Sequence, residues 1–127
     1  MSTKPQNIIS IFNNHFFEFI DDISTVFPDN VRITAAKNAL SAIKRANPKM
    51  IIKFWIECVV TPYKIQIENG DISFFLNNDY KKDLGDNSQT AMEYIDMLRE
   101  PIKNMGPANQ AKTMKYIQNL SKISELL

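Results

Sequence analysis

The stretch Asn47–Tyr63, NPKMIIKFWIECVVTPY, decides the fold. Between its two prolines, Met50 to Val60 carries apolar residues on most sides, broken only by Lys53 and Glu57. The run sits among segments with three- and four-residue apolar spacing. It reads as a helix surrounded by other helices. Asn47 is expected to cap it with Pro48 at its first position, and Pro62 to kink or break it. The run is far too short for a membrane span and contains charges.

Working outward, Gln6 to Phe27 places Phe12, Phe16, Phe19 or Ile20, Ile23 and Phe27 on one helical face. Pro28 stops that helix, and Asp29 or Asn30 is suited to cap the next. There Ile33, Ala36, Leu40 and Ile43 form a narrow stripe among helix-favouring alanines. Tyr63 to Glu68 reads as helix, with a short extended piece as the alternative. Asn69-Gly70 marks a turn, after which Asp71 can cap a short helical turn. A helix from about Ser88 carries Ala91, Ile95, Leu98, Ile102 and Met105, with a kink expected near Arg99-Glu100 because of Pro101. Gly106-Pro107 separates it from a last helix with the stripe Tyr116, Leu120, Ile123, Leu127. Strand signals are poor. The expectation is an all-α fold, a compact single-domain bundle of five to six helices spanning residues 1–127.

With 127 residues, 44% hydrophobic and 23% charged, the chain has the composition of one ordinary globular domain. The single cysteine, Cys58, excludes an internal disulfide or a cysteine-cluster metal site. Lying in the most apolar segment, it reads as an inert core thiol. The start, MSTKPQNIIS, lacks the apolar core of a signal peptide. The chain reads as a soluble intracellular protein with no membrane partner.

The chemistry-bearing residues do not assemble a reactive set. His15 is the sole histidine, with neither nucleophile nor second ligand nearby in sequence. In Gly70–Ser88, GDISFFLNNDYKKDLGDNS, the aspartates Asp79, Asp83 and Asp86 fail the calcium-loop spacing in either frame, since Leu84 or Ser88 stands where glycine is required. Phosphate-cradling glycine loops and nucleophile elbows are missing. No catalytic residue, metal or cofactor is expected. Phe74, Phe75, Leu76 and Tyr80 read as an anchor docking that loop on the core, with Phe75 and Tyr80 as candidates for contact with a protein partner.

Charge is the better lead. Val31 to Lys53 holds six basic residues, Arg32, Lys37, Lys44, Arg45, Lys49 and Lys53, and no acidic one. The segments on either side, up to Asn30 and from Phe54 to Asp79, each sum to −3. The last helix adds Lys112, Lys115 and Lys122. Arg32, Lys37, Lys44, Arg45 and Lys49 are therefore candidates for non-specific phosphate contact with nucleic acid. Sequence-specific groove reading is not expected, because the helix after the turn is too apolar to leave the core. Solvated helix backs are the plainer reading of the same charges.

FPDN before the alanine-rich helix, NPK before the aromatic one, PY at Pro62-Tyr63, and GDISFF followed by NDY at Asn78–Tyr80 carry a resemblance. In these the chain resembles uncharacterised small proteins encoded by large DNA viruses of algae and other protists. The resemblance covers about two-thirds of the chain and implies a virus-like or marine origin, with action in an infected cell or a particle. It implies no catalytic residues. The function expected is that of a helical interaction protein binding a protein partner through an exposed face, with non-specific nucleic-acid binding as the alternative. A second copy of the chain is a possible partner.

Overall fold

The structure is a computed structural model that describes residues 5–73 and 97–127, with the side chains of Pro5, Gln6 and Cys58 outside the description. The expectations for Cys58, for the Phe74–Tyr80 anchor, for the loop aspartates and for a helix beginning near Ser88 with Ala91 and Ile95 thus lie outside the described residues. Within them, all regular structure is helical: α1 (Pro5–Val26), α2 (Val31–Ala46), α3 (Met50–Trp55), a π-helical turn (Ile56–Val60), α4 (Thr61–Glu68), α5 (97–103) and α6 (Pro107–Glu125).

Each boundary has a local cause. Asn30 caps α2, its side-chain oxygen accepting from the backbone N–H of Arg32 at 2.9 Å and of Ile33 at 3.2 Å. Asn47 turns the chain but does not cap α3 with Pro48 as its first residue, as the sequence suggested. Its side chain accepts from the Lys49 N–H at 3.2 Å, and the helix begins at Met50. At the end of α4, Gly70 adopts φ 70°. The Gly70 N–H bonds the Ile67 carbonyl and the Asp71 N–H the Gln66 carbonyl. That pair of bonds is the Schellman arrangement, which needs a left-handed residue where glycine stands. Asp71 then accepts from the Ser73 N–H at 3.0 Å.

The central rod is where Pro62 acts. Proline lacks an N–H, and its ring clashes with the carbonyl four residues back. The chain responds by widening one turn. The Thr61 N–H reaches the Ile56 carbonyl, five residues away, and the Thr61 hydroxyl donates to the same carbonyl at 2.8 Å. Tyr63 absorbs the rest with φ −126° and ψ 26°. The rod is kinked, not broken, and Tyr63 to Glu68 is helix. Residues 97–103 are helical, Pro101 included.

The core gathers Phe12, Phe16, Phe19, Ile20 and Ile23 of α1 against Ile33, Ala36 and Leu40 of α2. It continues through Ile51, Ile52, Phe54 and Trp55 of α3 and Leu98, Ile102, Ile117 and Leu120 from the C-terminal helices. Each such large apolar side chain contributes roughly 1.5–3 kcal/mol by leaving water. α1 packs most extensively on α6. Phe12 and Phe16 meet the Trp55 ring edge-on, with centroids 6.0 and 6.2 Å away.

One face differs from the expected stripe. In α6 the buried set is Thr113, Met114, Ile117, Leu120, Ser121 and Ser124. Tyr116 and Ile123 are half-buried and Leu127 is exposed. The inward face includes small hydroxyls because they have partners there. Trp55 Nε1 donates to Ser121 Oγ at 3.1 Å, and Ser121 donates to the Ile117 carbonyl at 2.8 Å. Ser124 donates to the Ser121 carbonyl at 2.7 Å.

Candidate nucleic-acid interface

The basic segment divides in two. At the start of α2, Arg32 pairs with Glu100 at 3.0 Å and Lys37 pairs with Asp21. Both pairs are exposed and contribute at most about 1 kcal/mol, so they exchange readily with other anions. At the far end of α2 and the turn beyond it, no acid faces the cations among the described residues. Lys44 lies over the Phe17 ring, its Nζ 5.0 Å from the centroid. That contact fixes the stem while the charge stays at the surface. Arg45, Lys49 and Lys53 are exposed.

Lys44 and Lys49 flank a groove of about 600 Å³ between α1 and the α2–α3 turn. Its α1 wall carries Ser10, Asn13 and Asn14. Asn13 is buried, and its Nδ2 donates to the Pro48 carbonyl at 2.9 Å, tying the wall to the turn. The same amide leaves its Oδ1 buried without a hydrogen-bond partner. Sequence reasoning found the lysines but not this wall. The available signal was two adjacent asparagines, Asn13 and Asn14, inside an otherwise apolar helix.

On the other flank of α1 lies a cavity of about 270 Å³ lined by His15, Lys112, Lys115, Tyr116 and Asn119. His15 Nδ1 is 3.3 Å from a Glu18 carboxylate oxygen, and its ring stands 5.0 Å from that of Tyr116. Its Nε2 is buried and unpartnered. Lys112 pairs with Asp22 at 3.0 Å, a bond that raises its pKa. Burial, and next the Asp22 charge, pushes the Tyr116 phenol above its ordinary value. Among the described residues the lining contains no serine, threonine or cysteine.

A third cavity, about 240 Å³, opens between α4 and α6 where the π turn bends the rod. Its rim mixes Lys64 and Lys122 with Glu68 and Glu125, so it favours neither sign of ligand. Among the described residues no three His, Cys, Asp or Glu side chains converge to hold a metal ion. None of the helices described is long and apolar enough to cross a membrane.

The five sequence candidates therefore fall at two places on one helix and its turn. Lys44, Arg45 and Lys49 form a basic corner, whereas Arg32 and Lys37 are engaged with acids. Phe75 and Tyr80 lie outside the described residues. The fold and these surfaces define a class, an all-α protein with a basic corner beside a groove. No family model, curated protein or solved structure matches the chain.

Proposed function

We propose that this chain is a non-catalytic helical binding protein whose basic corner, Lys44, Arg45 and Lys49, contacts the phosphates of nucleic acid without reading sequence. The observation that carries the reading is the groove beside α1, flanked by Lys44 and Lys49 in a stretch with no acid between Asn30 and Ile56. Charge of one sign beside a concave surface concentrates anions. Arg32 and Lys37 extend the contact when phosphate displaces their exposed carboxylate partners. The protein-docking expectation at Phe75 and Tyr80 falls outside the described residues, and no observation advances it. A setting in a virus-infected cell accords with the proposal and rests on the resemblance alone.

The test is binding of a labelled oligonucleotide across a salt series. Neutralising three phosphates of a single strand gives a log–log slope of about −2. The double variant Lys44→Glu/Lys49→Glu should abolish binding while leaving the helical circular-dichroism spectrum intact. Absence of any retention of the wild-type chain at low salt would dismiss the proposal.

A further inference from the structure

We propose that a single strand of nucleic acid crosses the N-terminal half of α1, seating one nucleotide in the Lys44–Lys49 groove and another in the cavity beside His15 and Lys115. This rests on the nucleic-acid reading above and specifies its ligand.

Four features converge on that path. The two concavities lie on opposite flanks of the same helix, one walled by Asn14 and the other by the next residue, His15. A helix with its side chains is about 10–12 Å across, so a short run of nucleotides in one strand can reach both. Each concavity also offers cations. Lys44 and Lys49 serve the first, and Lys115 serves the second, where Lys112 is already held by Asp22.

Third, the two buried side-chain polar atoms without a hydrogen-bond partner among the described residues are Asn13 Oδ1 and His15 Nε2. One belongs to each concavity. Buried polar groups are nearly always bonded, so each exception asks for a cause. Both are acceptors. Asn13 is oriented by its Nδ2 bond to Pro48, which leaves the oxygen seeking a donor. The carboxylate of Glu18 can only accept from His15 Nδ1, which in the neutral ring leaves Nε2 as an acceptor. A ligand that satisfies both concavities is an anion that also carries N–H or O–H donors. Nucleotides do; polyphosphate does not. In a duplex the Watson–Crick donors of the bases are already paired, whereas a single strand presents them. Both acceptors sit beneath the surface, so seating a nucleotide takes a small shift of side chains at each rim.

Fourth, the charge along α1 steers the strand. The exposed residues of its C-terminal half include Glu18 and Asp21, which repel phosphate; Glu18 reaches His15 at 3.3 Å, so a phosphate at the second concavity lies on its Lys115 side. On the N-terminal half they are Asn7, Ser10, Ile11 and Asn14, with no acid. Ile11, 51% exposed, supplies an apolar surface for a base midway between the two concavities.

Anisotropy titrations of the full chain with mononucleotides and single strands of increasing length test this. Affinity should rise again once a strand is long enough to span α1. Lys115→Gln should then weaken binding of those strands severalfold and flatten the salt slope by about 0.7. Lys115 is exposed, and unchanged thermal unfolding of the variant keeps the comparison fair. Wild-type chain binding duplex or polyphosphate as tightly as single strands, or Lys115→Gln without effect at any length, would overturn the crossing and leave the basic corner standing. Wild-type chain binding none of these probes would overturn the nucleic-acid reading itself.

Discussion

Replacing Ser121 by alanine removes one oxygen from the centre of the bundle. Trp55, 1% exposed, then keeps an indole N–H with no acceptor, because Ser121 Oγ receives that bond at 3.1 Å. Losing a hydrogen bond whose groups return to water costs about 1 kcal/mol, but stranding a buried donor costs its desolvation, about 1–3 kcal/mol. The expected loss is about 2 kcal/mol. For 127 residues the midpoint of thermal unfolding moves about 4 °C per kcal/mol, so a drop of about 8 °C is expected. A double-mutant cycle isolates the cause. Trp55→Phe removes the donor and leaves Ser121 bonded to the Ile117 carbonyl. In that background Ser121→Ala strands nothing, and its cost should shrink by at least about 1 kcal/mol. Denaturant unfolding followed by circular dichroism measures all four corners. Equal costs of Ser121→Ala in both backgrounds would refute the claim that the indole N–H depends on this hydroxyl.

Two further perturbations address the turn and the α1–α6 contact. Gly70→Ala places a Cβ 3.7 Å from Gln118 Nε2, an ordinary contact, so its cost comes from the positive φ alone, about 1–2 kcal/mol. An unchanged denaturation midpoint would show that the Schellman turn is not as described. Tyr116 has its pKa raised by burial first and by the Asp22 and Glu18 charges next, so the folded chain holds the phenol proton more tightly than the unfolded one. Its contribution is fully present below the unfolded pKa of about 10 and is lost as pH rises through the folded value. Stability should therefore fall above about pH 10, and Tyr116→Phe should make that fall shallower. Lys112, raised by its bond to Asp22, acts in the same direction and accounts for a remaining slope. An identical alkaline profile for the two proteins would contradict the burial argument.

What the sequence made legible follows from which forces act locally. In the α1 stripe, which needs only the 3.6-residue period, Phe12, Phe16, Phe19, Ile20 and Ile23 are buried, while Phe27 lies past the helix end at Val26 and is half-buried. The cap at Asn30 and the turn at Gly70 need only backbone geometry. The α6 stripe was misread because apolar periodicity assigns polar residues to solvent. Ser121 and Ser124 are small enough to let helices approach and bond carbonyls of their own helix one turn back, while Ser121 also accepts from Trp55 across the bundle, a tertiary fact with no local signature. The π turn is a similar case. Pro62 announces trouble in the rod, but whether the chain breaks or widens a turn depends on what surrounds it. At the candidate site, the run of six cations was visible in one dimension. Their division into paired and free was not, because Glu100 is distant in sequence from Arg32, and Asp21 from Lys37.

That division bears on function more than the count of charges does. The near-neutral chain has its acids set where they neutralise one end of the basic segment and the flank of α1 nearest α6. Asp21 quiets Lys37, Glu100 quiets Arg32, and Asp22 quiets Lys112. Were the cations merely a solvated helix back, the same compensation would be expected at Lys44 and Lys49. Among the described residues no ion pair forms there, and the concave surface beside those lysines carries amides and a hydroxyl along with Ile9 and Pro48. Exposed pairs are weak and could be rearranged at little cost in stability. Among the described residues the cluster at Lys44, Arg45 and Lys49 has no acid partner, so beyond the Lys44–Phe17 contact it brings the bundle no ion-pair stabilisation, which is the pattern the proposed phosphate contact calls for.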